Sequence, residues 1–312
     1  MLSLIIGRPR CISIKAIHIG INKNDKQYID ILKNLVKSIT ICNVTNMNKA
    51  SEMLQVKSYQ TIYELLKFEK FDTAFIYIND KNDMSIINHL ISLKKNIFIE
   101  NPNAIIGEWS NLKNRINNTD VILDYSFIGS TDRIAIIIKN FIASKKCGKL
   151  LMLQSHNMSK IQFKIKYKML DELLASNVNS TICLFGEIPE VVYGIINNIK
   201  NKHKNDFVSI ILEFKNNKTA TISFDLISES EIKNFIAIYD NEIITNYSLE
   251  VIECDVDKYI KNQVSYEIQN FLQSINKKNK QSKKLDKIIE IENIINAIYV
   301  SSKKYIPIYL NI

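Results

Sequence analysis

The segment FDTAFIYINDKNDMSIINHLISLKKNIFIENPNA, residues 71–104, predicts a strand, a helix and a second strand. Thr73 to Ile78 and Ile97 to Ile99 are short apolar runs rich in β-branched and aromatic residues. Between them, the apolar residues of Met84 to Leu93 fall on one face of a helix. A strand, a crossover helix and a strand form a parallel βαβ unit, and such crossovers are nearly always right-handed.

Polar residues follow both strands of this unit. Asn79 comes directly after the first strand, and Glu100 and Asn101 come directly after the second. In open α/β sheets the ligand binds beyond the carboxyl ends of the strands. We therefore expect Asn79, Glu100 and Asn101 to line one rim of the sheet.

A glycine turn follows an earlier strand, Ile12 to Gly20, and opens the sequence GINKND. In the dinucleotide-binding pattern G-x-G-x-x-G, the glycines permit a tight turn, close approach of backbone to the diphosphate, and packing of helix on strand. Only the first glycine, Gly20, is present, because Asn22 and Asp25 occupy the other places. Asp25 is equally typical of a helix N-cap. We expect any dinucleotide to bind weakly at this turn.

A second strand, Ser38 to Val44, ends about 20 residues beyond the glycine turn, where a carboxylate would bind the adenosine ribose of NAD. Asn43 and further uncharged residues stand there, so the sequence does not indicate a strict preference for NAD. The candidate cofactor-binding residues are those at the strand ends: Gly20, Ile21, Asn22, Asn43, Asn79 and Glu100.

The order of elements predicts an α/β protein of two domains. Strands alternate with helices over residues 1–124, which predicts an N-terminal, Rossmann-type, doubly wound parallel sheet. A helix is expected from Thr131 to Lys145, and then strands such as Phe207 to Phe214 follow one another with short turns. Residues 125–312 are therefore predicted to form a C-terminal α+β domain with a mostly antiparallel sheet. Both faces of that sheet are partly apolar, which predicts a homo-oligomer formed through it.

The opening segment also resembles the centre of the Gfo/Idh/MocA family, the glucose–fructose oxidoreductase and inositol dehydrogenase group. The family pattern D-x-V-x-I is matched by Asp72 to Ile76, G-K-H-V by Lys94 to Ile97, and E-K-P by Glu100 to Pro102. A weaker resemblance extends from about Lys15 to the C-terminus. It implies NAD or NADP as cofactor and a small, sugar-like substrate: a sugar, a polyol or a nucleotide sugar.

The resemblance implies a catalytic lysine and a downstream histidine, which handle the proton of the substrate hydroxyl. Asn101 occupies the lysine place, Ser176 the histidine place, and Asn179 the place of a nearby aspartate. Asn and Ser can hydrogen-bond a substrate but do not exchange protons near neutral pH. Glu100, beside the missing lysine, and His156 are alternatives. The candidate catalytic residues are Glu100, Asn101, Ser176 and Asn179.

Composition excludes several other classes of protein. With 46% apolar and 23% charged residues in 312, the chain has a soluble globular composition. The net charge of +9 is spread along the chain, so we expect no nucleic-acid partner. No apolar run reaches the roughly 18–20 residues of a membrane span, so we expect no membrane association. Five scattered cysteines suit a reducing compartment and predict a cytoplasmic protein. The histidines and cysteines show no metal-site spacing.

Two interpretations of function follow. The first is a divergent NAD(P)-dependent oxidoreductase acting on a sugar, a polyol or a nucleotide sugar. The second is a catalytically inactive protein of the same fold that serves as a binding or assembly subunit. The missing turn glycines, lysine and histidine favour the second interpretation, whereas the resemblance along the chain favours the first.

Overall fold

The computed structural model describes residues 12–20, 25–42, 55–78, 81–126, 148–158, 168–199, 206–225, 232–245, 256–278 and 282–310. The chain divides into two compact units. The first contains Met1–Gly129 and Asp257–Asp286, and the second contains Ser130–Val256 and Lys287–Ile312. The predicted domain boundary between residues 124 and 125 stays a prediction. The later segment Asp257–Asp286 also belongs to the first unit. The helix expected from Thr131 to Lys145 lies outside the described residues.

The strands are β1 (Ile12–Ile19), β2 (Val36–Cys42), β3 (Lys57–Tyr59), β4 (Thr73–Ile76), β5 (Asn96–Ile99), β6 (Leu123–Tyr125), β7 (Leu150–Met158), β8 (Val191–Asn197), β9 (Phe207–Phe214), β10 (Lys218–Asp225), β11 (Ile232–Tyr239), β12 (Ile243–Thr245) and β13 (Ile308–Tyr309). The helices are α1 (Asp25–Leu35), α2 (Ile62–Phe68), α3 (Met84–Ser92), α4 (Trp109–Asn117), α5 (Lys168–Phe185), α6 (Val256–Lys277) and α7 (Ser282–Lys304). Short 3-10 turns occur at Lys81–Asp83, Pro102–Ile105 and Lys215–Asn217.

The first unit contains a six-stranded parallel sheet in the order β3-β2-β1-β4-β5-β6. The predicted βαβ unit is confirmed as β4, α3 and β5. The order reverses between β1 and β4, which lie side by side although β2 and β3 come between them in the chain. Ligands of doubly wound sheets bind at such a switch point, beyond the carboxyl ends of the strands.

One face of this sheet is covered by α1 and α6. Leu32 of α1 and Phe271 of α6 belong to the same buried cluster as Phe75 of β4 and Phe98 of β5. The ring of Phe271 lies 5.8 Å from that of Phe75 and 5.2 Å from that of Phe98, measured between centroids. Burying each such aromatic side chain stabilises the fold by about 1.5–3 kcal/mol. Helix α6 is therefore fixed to the sheet by core packing.

The second unit contains a seven-stranded sheet in the order β12-β11-β7-β10-β9-β8-β13. All neighbours are antiparallel except β7 and β10, which confirms a mostly antiparallel sheet. Helix α7 lies close against it, because a Cβ at Gly194 of β8 would come within 2.7 Å of the Ile298 carbonyl oxygen. On the other face, Ile236 and Ile211 keep 38% and 37% of their surface exposed.

Candidate active site

Gly20 forms the start of the glycine turn at the carboxyl end of β1. Its φ is +83°, a backbone conformation that strongly favours glycine, and its N–H donates to the Cys42 carbonyl across 3.2 Å. A Cβ at this position would lie 2.7 Å from the carbonyl oxygen of Tyr77. Backbone strain and lack of space therefore both demand glycine here. Ile21, Asn22, Asn43 and Asn79 lie outside the described residues.

Glu100, at the carboxyl end of β5, faces a partner that the sequence did not predict. Its Oε1 lies 2.7 Å from Nε2 of His18, which precedes Gly20 by two residues. The His18 side chain is fully buried, and that of Glu100 is 7% exposed. The sequence did contain a signal for the burial of His18, because His18 continues the alternation of the buried residues Ile14 and Ala16 along β1. His18 is therefore placed at the carboxyl rim on the face covered by α1 and α6.

Tyr28 of α1 lies beside this pair. Its ring centroid is 5.7 Å from that of His18. Burial raises the pKa of the Tyr28 hydroxyl well above its usual value, and the charge of Glu100 raises it further. The hydroxyl is therefore neutral near neutral pH, so it can donate a hydrogen bond but contributes no charge.

A second buried pair joins the end of β6 to the start of α7. Lys284 Nζ lies 2.6 Å from Asp124 Oδ1, and the Asp124 side chain is only 1% exposed. Lys284 also donates to the Tyr125 carbonyl across 2.5 Å, and the Tyr125 hydroxyl donates to the Lys284 carbonyl across 2.6 Å. Burial raises the pKa of the Asp124 carboxyl, against the opposing effect of the Lys284 charge.

Asn101, in the place of the family lysine, is held by the backbone. Its Nδ2 donates to the carbonyl of Ile78, at the end of the segment that follows β4, across 3.1 Å. The indole N–H of Trp109 donates to the carbonyl of Pro102 across 3.2 Å, which fixes the next residue. The Asn101 side chain is half-buried. It can offer a hydrogen bond at the rim, but it has no proton to exchange near neutral pH.

Ser176 and Asn179 lie three residues apart on α5, in the second unit, and so share one side of that helix. Ser176 is half-buried, and Asn179 is 2% exposed. Asn179 Oδ1 lies 3.7 Å from the Cys183 sulfur, one turn further along α5. Their roles stay predictions. His156, the other alternative, has its Nδ1 2.6 Å from the hydroxyl of Ser223 on β10.

Clusters of metal-ligand residues and long apolar helices are both absent from the described part of the chain. There, no group of three or more His, Cys, Asp or Glu residues could hold a metal ion. None of the helices in those ranges is long and apolar enough to cross a membrane.

No protein-family model and no curated protein sequence matches the chain significantly. Solved structures do match it over nearly its whole length. Myo-inositol 2-dehydrogenase from Lactobacillus plantarum is 14% identical, with a TM-score of 0.70, over 96% of this chain and all of that one. A putative myo-inositol dehydrogenase from Sinorhizobium meliloti is 13% identical, with a TM-score of 0.73, over 96% and 100%.

GenD2 from gentamicin A biosynthesis, solved in complex with NAD, is 11% identical, with a TM-score of 0.73, over 98% of this chain and 99% of that one. This chain has the fold of these proteins. The fold that the sequence resemblance implied is therefore confirmed. At such low identity the likeness shows the fold alone, so the chemistry must be argued from the side chains at the rim.

Proposed function

We propose that this protein is a divergent NAD(P)-dependent oxidoreductase that acts on a sugar, a polyol or a nucleotide sugar. The observation that carries the proposal is the left-handed Gly20 turn at the β1–β4 switch point of a dehydrogenase-type fold. The absent Cβ lets the turn pass close to the Tyr77 carbonyl, and α1, the next helix in the chain, offers N–H groups at its N-terminus that favour phosphate. The nucleotide binds with its nicotinamide end towards Glu100 and Asn101.

The candidate residues are proposed to have different roles in the reaction. The bound nucleotide would accept the hydride from a hydroxyl-bearing carbon of the substrate. Asn101 can orient a substrate hydroxyl, and for Ser176 and Asn179 the family resemblance suggests a hydrogen bond to the substrate. The hydroxyl proton needs an acceptor, and the Glu100 carboxylate, paired with His18, is the titratable group beside Asn101.

A binding titration with NADH and NADPH on the purified protein tests the proposal. We expect weak but saturable binding of at least one nucleotide, and its loss in Gly20→Val, because the branched side chain meets the Tyr77 carbonyl. Gly186→Val is the matched control, since Gly186 has a φ of +73° and no neighbour within 4 Å of an added Cβ. Failure of both nucleotides to bind at millimolar concentration would overturn the proposal and favour an inactive binding or assembly subunit.

Turnover is tested by substrate-dependent formation of NADH or NADPH across sugars, polyols and nucleotide sugars. We expect slow turnover by the unmodified protein. Asn101→Lys alone should raise it little, because Ser176 still provides no proton-exchanging group. The double variant Asn101→Lys with Ser176→His, which restores both family residues, should raise it more than either single variant. Equal rates in all four proteins would exclude these two positions from the chemistry.

We also propose that the protein forms a homo-oligomer through the face of the second-unit sheet that carries Ile211 and Ile236. Register places Ile236 of β11, Gln154 of β7, Thr221 of β10, Ile211 of β9 and Tyr193 of β8 in one row across this face. Apolar side chains in such a row favour burial against a second copy. Light scattering should show an oligomer that Ile211→Glu dissociates. Ile199→Glu, at an isoleucine outside the sheet that is 61% exposed, should leave it intact.

A further inference from the structure

Two polar side chains share a cross-strand row with two aromatic side chains on one face of the sheet. His18, Phe75, Phe98 and Asp124 are register partners across β1, β4, β5 and β6, so they lie in one row on the face covered by α1 and α6. Glu100, two residues beyond Phe98, lies on the same face and meets His18. The buried imidazole and carboxylate therefore lie at the end of the sheet where ligands bind.

An imidazole and a carboxylate at 2.7 Å behave as one proton-binding unit. With one proton the pair is an imidazolium and a carboxylate, or a neutral imidazole and a carboxylic acid, and its net charge is zero either way. Without that proton the net charge is −1. Histidine is the side chain that ordinarily changes charge between about pH 5 and 8.

We propose that the His18–Glu100 pair makes the rim distinguish oxidised from reduced nicotinamide nucleotide in a pH-dependent way. This inference rests on the proposed function and on the nicotinamide end lying towards Glu100. The oxidised ring carries one positive charge and the reduced ring carries none. The pair with net charge −1 therefore favours the oxidised nucleotide, whereas the neutral pair favours neither. Because both nucleotides have the same diphosphate, its effect on the pair cancels in the comparison.

Other titratable groups face the pair from the elements packed around it. Tyr28 of α1 is neutral over the range in question, because burial raises its pKa well above the usual value. Asp124 of β6 is paired with Lys284 of α7, and Glu267 of α6 lies close enough for its charge to act on Tyr28.

The test measures the dissociation constants of NAD⁺ and NADH, or of the phosphorylated pair if that binds, by calorimetry between about pH 6 and 8.5. The preference for the oxidised form should rise about tenfold with pH, the size expected for a unit charge a few ångströms away in a partly screened site. His18→Gln should make the preference independent of pH. Glu100→Gln should abolish the preference for the oxidised form at every pH, because the remaining imidazole never carries a negative charge. Asp124→Asn should retain the pH dependence of the preference. His89→Gln, at an exposed histidine of α3, is the matched control.

A measurement on the unmodified protein guards against variants that fail to fold. Binding of the oxidised nucleotide favours the deprotonated pair, so it should release more protons than binding of the reduced nucleotide, as read from calorimetry in buffers of different ionisation enthalpy. Equal proton release would overturn the inference while leaving nucleotide binding, and thus the proposed function, intact. A preference for the oxidised form that does not change with pH would also overturn the inference alone. So would a pH dependence that His18→Gln leaves unchanged. Absence of binding by any nucleotide would overturn both.

Discussion

Replacing Gly20 by alanine tests the glycine turn with the smallest change. Two effects add in Gly20→Ala. An alanine in left-handed backbone costs about 1–2 kcal/mol, and its Cβ would lie 2.7 Å from the Tyr77 carbonyl oxygen. That oxygen belongs to backbone, and relieving such overpacking costs about 1–3 kcal/mol. We therefore expect the variant to lose about 2–5 kcal/mol of unfolding free energy.

Gly186→Ala separates the two effects. Gly186 follows α5 with a φ of +73°, so alanine there has the same left-handed strain, but an added Cβ meets nothing within 4 Å. Its loss should be about 1–2 kcal/mol. Urea unfolding followed by the fluorescence of Trp109, which lies in the first unit, gives the loss for Gly20→Ala. Urea unfolding followed by circular dichroism gives the loss for both variants. A loss in Gly20→Ala no greater than that in Gly186→Ala would refute the steric role of the Tyr77 carbonyl.

Three further predictions test other parts of the structure. Lys284→Met leaves Asp124 buried without its partner and should cost about 3–5 kcal/mol, unlike Lys303→Met on the exposed end of α7. Burial raises the folded-state pKa of Asp124, so lowering the pH protonates the carboxyl and removes the unpaired buried charge. The loss of unfolding free energy in urea melts should therefore shrink as pH falls, and an equal loss at all pH values would contradict this prediction. Cys42 should resist alkylation at pH 8 until the protein unfolds, as peptide mass spectrometry can show, since burial raises its pKa to about 11. Tyr299→Phe, which removes the 2.7 Å bond to Asp171, should lower the unfolding free energy by about 1–3 kcal/mol, and Tyr305→Phe should not.

The parallel sheet could be predicted from sequence because its signals are local. The apolar runs of β4 and β5 and the one-sided helix between them define a βαβ unit without reference to the rest of the chain. Gly20 could also be identified, because a glycine between a strand and a helix is typical of a turn that needs left-handed backbone. The motif pattern was incomplete, but the conformation of its first residue is the one the pattern requires.

The pairs His18–Glu100 and Asp124–Lys284 could not be predicted, because each joins residues from distant parts of the chain. His18 in an apolar strand has the pattern of an ordinary buried residue, and nothing local connects it with Glu100. Lys284 belongs to a lysine-rich segment in which no single lysine is distinguished by sequence. The contribution of α6 to the first unit is likewise a tertiary contact, visible only once Phe271 is found among the core residues of the sheet.

The position of the two buried pairs bears on whether the site still functions. Buried ion pairs contribute little net stability, and apolar residues of similar volume often replace them without loss. On the same sheet face, Ala16, Phe75 and Phe98 belong to the apolar core cluster. His18 and Asp124 lie in one cross-strand row with Phe75 and Phe98, and Glu100 lies two residues beyond Phe98. A domain kept for its shape alone would gain from apolar residues at the positions of the two pairs as well. Polar pairs near the carboxyl ends of the strands, where ligands of such sheets bind, therefore favour the proposed function over an inactive subunit.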